Sequence, residues 1–285
     1  MEIEIIDLYK QFNLKRTNEN AKGYLTCVSH TELTEVLPVK CIRPAMLIVP
    51  GGGYTFVSQR EDEPVALKFL DDGYNTFTLD YSVNTTYPTQ ILEIFMAMAY
   101  IKRNAEKYSI DKTKVCVVGF SAGGHLVGSL STLFEDQELL KKVGCTSQEV
   151  RPDAAILSYA VLSFEDKITH GITRKVVTGE DKELIKKLYV ANNVTKNTPP
   201  SFVWATQQDA LVPVQNSLQY ALALQENGVD FELHIFQDGW HGLSTGDEVV
   251  NYNDKGEGIS FDCKQWITLA KNWLKNRDFK VRYYK

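Results

Sequence analysis

The feature that most constrains this chain is a serine held between two glycines directly after an apolar run. Residues 115–125 read VCVVGFSAGGH, whose apolar start predicts a strand, and residues 125–133 predict a helix. A turn this sharp between a strand and a helix strains the serine backbone and pushes its hydroxyl out of the fold. The residues two places before and after the serine must then be almost free of side chain, which explains Gly119 and Gly123. Ser121 is therefore the candidate nucleophile.

Strands and helices alternate along the chain, and this alternation predicts the fold class. Predicted strands cover residues 2–8, 21–29, 45–49, 75–81, 115–118, 153–158, 200–206 and 231–236. Predicted helices cover residues 63–72, 88–101, 125–133, 214–226 and 262–276. This order predicts an α/β fold with a mostly parallel central sheet of about eight strands and helices on both faces. Ligands are expected at the carboxyl ends of the strands.

Two regions depart from the alternation. The first two strands are amphipathic and are predicted to pair antiparallel at the edge of the sheet. Residues 160–198 are polar and follow neither the strand nor the helix period, so we predict an insertion over the carboxyl edge of the sheet that could act as a lid. No repeat, low-complexity segment or linker divides the chain, so residues 1–285 are predicted to form a single domain.

Composition and charge limit the partners of the chain. The 285 residues are 44% hydrophobic and carry a net charge of −5 without a long run of one sign, which argues against nucleic-acid binding. The first residues are acidic and no apolar run approaches the roughly 18 residues of a membrane span, so we expect no signal peptide and no membrane partner. The cysteines are widely spaced without a C-x-x-C pair, which favours reduced thiols, no metal site and a cytoplasmic location. The sequence leaves a homodimer open.

A serine nucleophile needs a histidine base, and position along the chain selects one histidine. On a sheet of this kind the order is serine, then acid, then histidine, which removes His30. His125 follows the serine by one helical turn and is predicted to face away from it, while His170 lies in the predicted insertion, before any suitable acid. His234 lies inside a strand, where a structural role is expected. His241 directly follows that strand at the carboxyl edge and is the candidate base.

The candidate acid is Asp209. It follows the strand predicted at residues 200–206 and precedes a helix, which places it at the same edge of the sheet as His241. Asp238 is a rival because it lies close to His241 in sequence. A carboxylate at such a short separation more often caps a turn, so Asp209 is favoured.

Three consecutive glycines follow the strand predicted at residues 45–49. Residues 50–54 read PGGGY, which could be a flexible turn, but glycines at the carboxyl end of a central strand also let bare backbone N–H groups approach a ligand. We predict that the N–H groups of Gly52 and Gly53, with that of Ala122 behind the nucleophile, bind the negative oxygen of a tetrahedral intermediate.

Taken together, these motifs resemble the α/β-hydrolase fold. The resemblance is carried by PGGGY at 50–54, DYS at 80–82, GFSAGGH at 119–125, the segment around Asp209, and WHGL at 240–243. Over residues 40–275 the chain is most similar to the acetyl esterase and acetylxylan-esterase-like branch, which is related to the hormone-sensitive-lipase group. The resemblance implies hydrolysis of a small-molecule carboxylic ester, often an acetylated sugar, without a metal or organic cofactor.

Two positions depart from that family's pattern. The hormone-sensitive-lipase group usually has a histidine before the oxyanion glycines, where this chain has Pro50, so we expect the loss of a side-chain hydrogen bond that braces the loop. Sugar-esterase-like relatives often carry a proline in the segment that reads YAV at residues 159–161. Neither change touches Ser121, Asp209 or His241.

Bulky aromatic residues are predicted to shape the substrate pocket. Tyr54 and Phe56 follow the oxyanion glycines and Trp240 precedes the base, so we expect them to crowd the acyl side of Ser121 and to suit sugar rings. The alternative is that these side chains belong to the core. Two other functions stay open for the same residues: a serine peptidase or acylaminoacyl hydrolase, and a ligand-binding descendant of the fold without catalysis.

Overall fold

A computed structural model describes residues 1–16, 21–30, 40–251 and 258–284 of the chain. The first elements are β1 (Glu2–Asp7), α1 (Leu8–Gln11) and β2 (Tyr24–Ser29). The chain continues through β3 (Lys40–Val49), α2 (Glu63–Asp71), β4 (Asn75–Asp80), α3 (Thr89–Arg103), β5 (Ile110–Phe120), α4 (Ser121–Leu133), α5 (Gln137–Val143), α6 (Ser147–Val150) and β6 (Ala154–Ser158). It ends with α7 (Gly171–Thr178), α8 (Lys182–Lys187), β7 (Ser201–Thr206), α9 (Gln215–Glu226), β8 (Phe231–Phe236), α10 (Trp266–Lys275) and β9 (Arg282–Tyr284).

The strands form one sheet whose order is β1-β2-β4-β3-β5-β6-β7-β8, with β9 paired to β3. From β4 to β8 every neighbouring pair is parallel, whereas β1 and β2 are antiparallel at one edge. The α/β fold with a mostly parallel sheet is therefore confirmed. Strand β5 lies in the centre, between β3 and β6, so the turn that follows it opens at the middle of the carboxyl edge.

Side chains of β5 alternate between two hydrophobic cores, one on each face of the sheet. Val115 and Val117 belong to the larger core, which includes residues of α3 and α4. Cys116 and Val118 belong to the smaller core, which includes residues of α2 and α10. Both faces of β5 are thus covered, which explains the continuous apolar run in its sequence.

The sequence predicted that helix α4 begins at residue 125, but the helix begins at Ser121. Gly123 and Gly124 lie inside the helix although glycine disfavours helical backbone. Their absence of side chain is needed for packing: a Cβ on Gly123 would lie 2.2 Å from the carbonyl oxygen of Pro50, and a Cβ on Gly124 2.3 Å from the Cβ of Ala160. Close packing of α4 on its neighbours outweighs the local propensity.

Residues 160–198 are more regular than the sequence predicted. They contain α7 and α8, and residues 160–164 are almost entirely buried beside the sheet. The short helices α1, α5 and α6 and the strand β9 also had no predicted counterpart. Within the described ranges, no helix has both the length and the apolar character to cross a bilayer.

Candidate active site

The turn between β5 and α4 holds the candidate nucleophile. Ser121 is the first residue of α4, and its φ of +52° lies in the left-handed region that non-glycine residues rarely adopt. A Cβ on Gly119 would lie 2.5 Å from the carbonyl oxygen of Gly123, so a side chain cannot fit there. The strained turn predicted from the glycine spacing is confirmed. It costs roughly 1–3 kcal/mol, which packing around the turn must offset.

The structure brings together the three residues predicted as nucleophile, base and acid. His241 Nε2 lies 2.7 Å from Ser121 Oγ, and His241 Nδ1 lies 2.7 Å from Asp209 Oδ2. The other carboxylate oxygen of Asp209 accepts hydrogen bonds from the backbone N–H groups of Leu211 at 2.9 Å and Val212 at 2.8 Å. These two bonds orient the fully buried carboxylate so that Oδ2 faces the imidazole.

The rival residues have other partners. Asp238 is exposed, and its carboxylate accepts a hydrogen bond from Gln208 Nε2 at 2.9 Å. His234 Nε2 lies 2.7 Å from Glu232 Oε1, and its ring packs against Phe202. These contacts are typical of turn-stabilising and structural roles.

The glycine turn after β3 lies beside Ser121. Gly52 and Gly53 both have positive φ, +119° and +63°, and the carbonyl oxygen of Gly52 accepts hydrogen bonds from the N–H groups of Thr55 and Phe56. In the described part of the chain, no acceptor pairs with the N–H groups of Gly52, Gly53 or Ala122. The N–H of Ala122 belongs to the first turn of α4, where helices have no acceptor of their own. The three predicted oxyanion donors are therefore available to a ligand.

Two side chains brace this turn and replace the hydrogen bond expected to be lost at Pro50. Glu61 Oε2 accepts a hydrogen bond from the N–H of Gly51 at 2.8 Å. The Tyr81 hydroxyl donates to the carbonyl oxygens of Pro50 at 2.8 Å and Gly51 at 3.1 Å. Both side chains are buried, so these bonds are shielded from water.

Tyr159 connects the braced turn to the loop that carries the base. Its hydroxyl donates to Glu61 Oε1 at 2.7 Å and accepts from the N–H of Ser244 at 2.8 Å. Burial raises the pKa of Tyr159 well above its usual value of 10, so the hydroxyl keeps the proton that it donates. The Tyr159 ring also lies edge-on to the His241 ring, with centroids 5.0 Å apart. Neither Glu61 nor Tyr159 was identified as part of the site from the sequence.

Arg60 makes a second connection between the same two segments. Its guanidinium donates from Nε to the carbonyl oxygen of Val250 at 2.9 Å and from Nη1 to that of Gly242 at 2.8 Å. The hydroxyl of Ser244 donates in return to the carbonyl oxygen of Arg60 at 2.5 Å. The loop after His241 is therefore held by both side-chain and backbone bonds.

Tyr54, predicted to contact substrate, is instead fully buried. Its φ of +61° is consistent with a tight turn, and its hydroxyl lies 2.8 Å from His125 Nδ1. His125 Nε2 lies 3.0 Å from the carbonyl oxygen of Leu188 and therefore carries the proton, which leaves Nδ1 to accept from Tyr54. The prediction that Tyr54 lines the pocket is wrong because the turn places its ring in the core.

His125 lies at the junction of three segments. Burial lowers the pKa of His125 to about 4, so its imidazole is neutral at neutral pH. His125 lies on α4, and its ring hydrogen-bonds Tyr54, which directly follows the glycine turn, and stacks on Phe164 with centroids 4.7 Å apart. As predicted, His125 does not take part in the contacts of Ser121.

A cleft of about 410 Å³ opens at Ser121 and His241. Its lining includes residues of the glycine turn and of the segments around α7 and after β7: Gly52, Gly53, Thr55, Phe56, His170, Ile172 and Leu211. Phe56 lines the cleft and is 60% exposed, as expected of a residue that contacts substrate. Trp240 is 51% exposed but is not among the described residues that line the cleft.

His170 lies in the cleft, although its place in the predicted insertion argued against a role as the base. It precedes α7 in the predicted insertion, and its Nδ1 lies 2.7 Å from Thr173 Oγ1. Burial lowers the pKa of His170, and the nearby His241 lowers it further, while Asp209 raises it. No motif surrounds His170 in the sequence, so only the fold could bring it to the site.

Comparison with known proteins places this site in a family. The BD-FAE family model matches residues 38–224, more than half of the chain. The chain is 35% identical to endo-1,4-beta-xylanase B of Butyrivibrio fibrisolvens over 215 residues, which are 72% of this chain and 33% of that protein. It is 29% identical to an acetylxylan esterase of Xylanibacter ruminicola over 277 residues, which are 94% of this chain and 51% of that protein. The chain thus spans a third to a half of the length of these relatives.

A solved structure is similar to almost the whole chain. The acetyl ester-xyloside bifunctional hydrolase of Caldicellulosiruptor lactoaceticus is 30% identical to this chain, with a TM-score of 0.81 and 97% of each chain covered. The likeness therefore extends beyond the matched family model to almost the whole chain. The chain belongs to the BD-FAE family and has the α/β-hydrolase fold.

Proposed function

We propose that this chain is a serine esterase that removes short acyl groups, acetyl above all, from sugars or xylo-oligosaccharides through an acyl-enzyme. The observation that carries the proposal is the pair of 2.7 Å contacts that run from Asp209 through His241 to Ser121. Such a chain of hydrogen bonds gives a serine hydroxyl the oriented base that it needs in order to attack an ester.

In the acylation step, His241 Nε2 accepts the proton of Ser121 Oγ while Oγ forms a bond to the carbonyl carbon of the ester. The electron pair of the carbonyl π bond moves to the oxygen, which then accepts hydrogen bonds from the N–H groups of Gly52, Gly53 and Ala122. Each such donor stabilises the transition state by roughly 3–4 kcal/mol. When the intermediate collapses, the bond to the alcohol oxygen breaks and His241 gives that oxygen its proton.

Deacylation repeats these steps with water. His241 Nε2 accepts a proton from water, whose oxygen attacks the acyl carbon, and the proton returns to Ser121 Oγ as the carboxylic acid leaves. The buried carboxylate of Asp209 holds the Nδ1–H group and stabilises the imidazolium that forms in both steps.

Two observations support a short acyl group on a sugar. The cleft has a volume of about 410 Å³ and the exposed ring of Phe56 lines it, so a long acyl chain would compete with that ring for space. The names of two similar proteins, an acetylxylan esterase and an acetyl ester-xyloside hydrolase, support acetylated sugars as the substrate class.

We also propose that residues 1–285 act as a single domain in which residues 160–198 cover the cleft. The contribution of His170 and Ile172 to the lining of the cleft supports this role for the segment. The cytoplasmic location and the homodimer stay predictions.

The test is hydrolysis of p-nitrophenyl acetate by the Ser121→Ala and His241→Ala variants. Both should lose at least about three orders of magnitude in kcat, because nucleophile and base act as a unit. His234→Gln, outside the cleft, is the control and should keep its activity and thermal midpoint. A Ser121→Ala variant that keeps a tenth of the wild-type rate would contradict the proposal. Turnover of aminoacyl p-nitroanilides without ester turnover would favour the peptidase.

A further inference from the structure

His170 occupies a position in the cleft that the proposed triad leaves unused. It lines the cleft together with Ser121 and His241. A Cβ built on Gly53 would lie 3.5 Å from His170 Cε1, so the ring is next to the glycine turn that holds the proposed oxyanion donors. A substrate whose carbonyl oxygen binds at that turn would therefore pass close to the imidazole.

A hydrogen bond to Thr173 fixes the orientation of the His170 ring. Its Nδ1 lies 2.7 Å from Thr173 Oγ1, and Thr173 is fully buried. His170 Nε2 has no hydrogen-bond partner in the ranges that the structure describes. Because burial and His241 both lower the pKa of His170, the ring is neutral when the esterase works near pH 7. It then offers a single polar atom, Nε2, to a ligand.

The chemistry of that atom favours one kind of ligand group. If Thr173 donates to Nδ1, then Nε2 carries the proton and donates; if Nδ1 donates to Thr173, then Nε2 accepts. A hydroxyl group can pair with either tautomer because it both donates and accepts. An apolar group would cover Nε2 without a hydrogen bond, which is unfavourable, and a carboxylate would find no positive charge on this ring.

We propose that His170 Nε2 hydrogen-bonds a hydroxyl on the alcohol part of the ester, so that His170 selects polyhydroxylated alcohols over apolar alcohols of the same size. This inference rests on the proposed esterase function and names what the alcohol side of its cleft recognises. Partly acetylated sugars meet this requirement for a hydroxyl group, because the ring carries free hydroxyl groups beside the ester.

The test uses two acetates that differ in one group. 2-Hydroxyethyl acetate and propyl acetate have alcohol parts of nearly the same size, but only the first carries a hydroxyl. The measured quantity is the ratio of their kcat/KM values. In the His170→Phe variant this ratio should fall about threefold to tenfold relative to wild type, the effect of one lost hydrogen bond to a neutral partner.

Three further variants separate recognition from structure. His170→Ala adds no bulk and should show the same fall if the phenylalanine variant does not fold. His170→Gln keeps a donor and an acceptor and should retain most of the wild-type ratio. His234→Gln, on β8 and outside the cleft, should leave the ratio as in wild type.

Several outcomes would overturn the assignment: an unchanged ratio in His170→Phe or His170→Ala, an equal fall in His170→Gln, or wild-type protein that hydrolyses p-nitrophenyl acetate but not 2-hydroxyethyl acetate. Failure of the underlying esterase proposal is distinguishable, because it would appear as p-nitrophenyl acetate turnover that survives in Ser121→Ala.

Discussion

Protonation of His125 should destabilise the folded protein as the pH falls below about 6.5, the usual pKa of a histidine. Burial lowers the pKa of His125 to about 4 in the folded state. Between these two pKa values His125 is mostly protonated in the unfolded chain and mostly neutral in the folded chain, so the free energy of unfolding decreases as the pH decreases. The stabilisation is fully present above pH 6.5 and is lost progressively towards pH 4.

The magnitude follows from the two pKa values. One pKa unit corresponds to about 1.4 kcal/mol, so the full difference between 6.5 and about 4 is worth roughly 3 kcal/mol. At pH 5.0 the unfolded histidine is almost fully protonated and the folded one is mostly neutral, which gives a loss of about 2 kcal/mol relative to pH 7.5. The other ionisable groups contribute to the same pH dependence, so only a difference between variants isolates His125.

The assay is urea unfolding at pH 7.5 and pH 5.0 for wild type and His125→Gln. The wild type should lose about 2 kcal/mol more than the variant between the two pH values. Tyr54→Phe is the matched control, since it removes the hydroxyl that binds His125 Nδ1 but keeps the buried imidazole. It should be less stable at both pH values and keep the wild-type pH dependence. A wild-type and a His125→Gln protein with equal pH dependence would refute a neutral, buried His125.

Two other predictions concern the connection between loops and the size of the acyl group. Tyr159→Phe leaves Glu61 Oε1 and the N–H of Ser244 without their shared partner. It should therefore destabilise the protein by roughly 2–4 kcal/mol in urea unfolding and lower kcat more than it raises KM. A loss of stability below about 0.5 kcal/mol would contradict the role of this hydroxyl. For p-nitrophenyl esters, kcat/KM should be highest for acetate and fall steeply by octanoate, because each methylene that does not fit costs roughly 1 kcal/mol or more. Equal turnover of octanoate would show that Phe56 does not limit the acyl side.

The proximity of Ser121, Asp209 and His241 could be predicted from the sequence because each of them lies at or within a few residues of the end of a strand. Ser121, Asp209 and His241 come after β5, β7 and β8, and parallel strands present their carboxyl ends at one edge of the sheet. The order of the strands in the sheet was not needed. A local pattern, an apolar run followed by a polar residue, therefore predicted a contact between residues far apart in the chain.

The same reasoning failed for Tyr54 because proximity in sequence does not fix the direction of a side chain. Tyr54 follows the oxyanion glycines as closely as expected, but its positive φ and its hydrogen bond to His125 place the ring in the core. Phe56, two residues later, lies on the cleft wall. The backbone angles of the turn decide between these outcomes, and the alternation of apolar residues carries no information about them.

The side chains around Ser121, Asp209 and His241 are positioned by long-range contacts that no local sequence pattern predicts. Tyr159 binds Glu61 across 98 residues of chain and Ser244 across 85, and His170 reaches the cleft from a segment without a motif. The proposed catalytic groups lie near strand ends, whereas His170, the residue proposed to bind the alcohol, reaches the cleft from the segment 160–198. The sequence of such a chain therefore predicts a reaction more readily than a substrate. The His170 variants test the proposed contact with the alcohol, which the sequence did not predict.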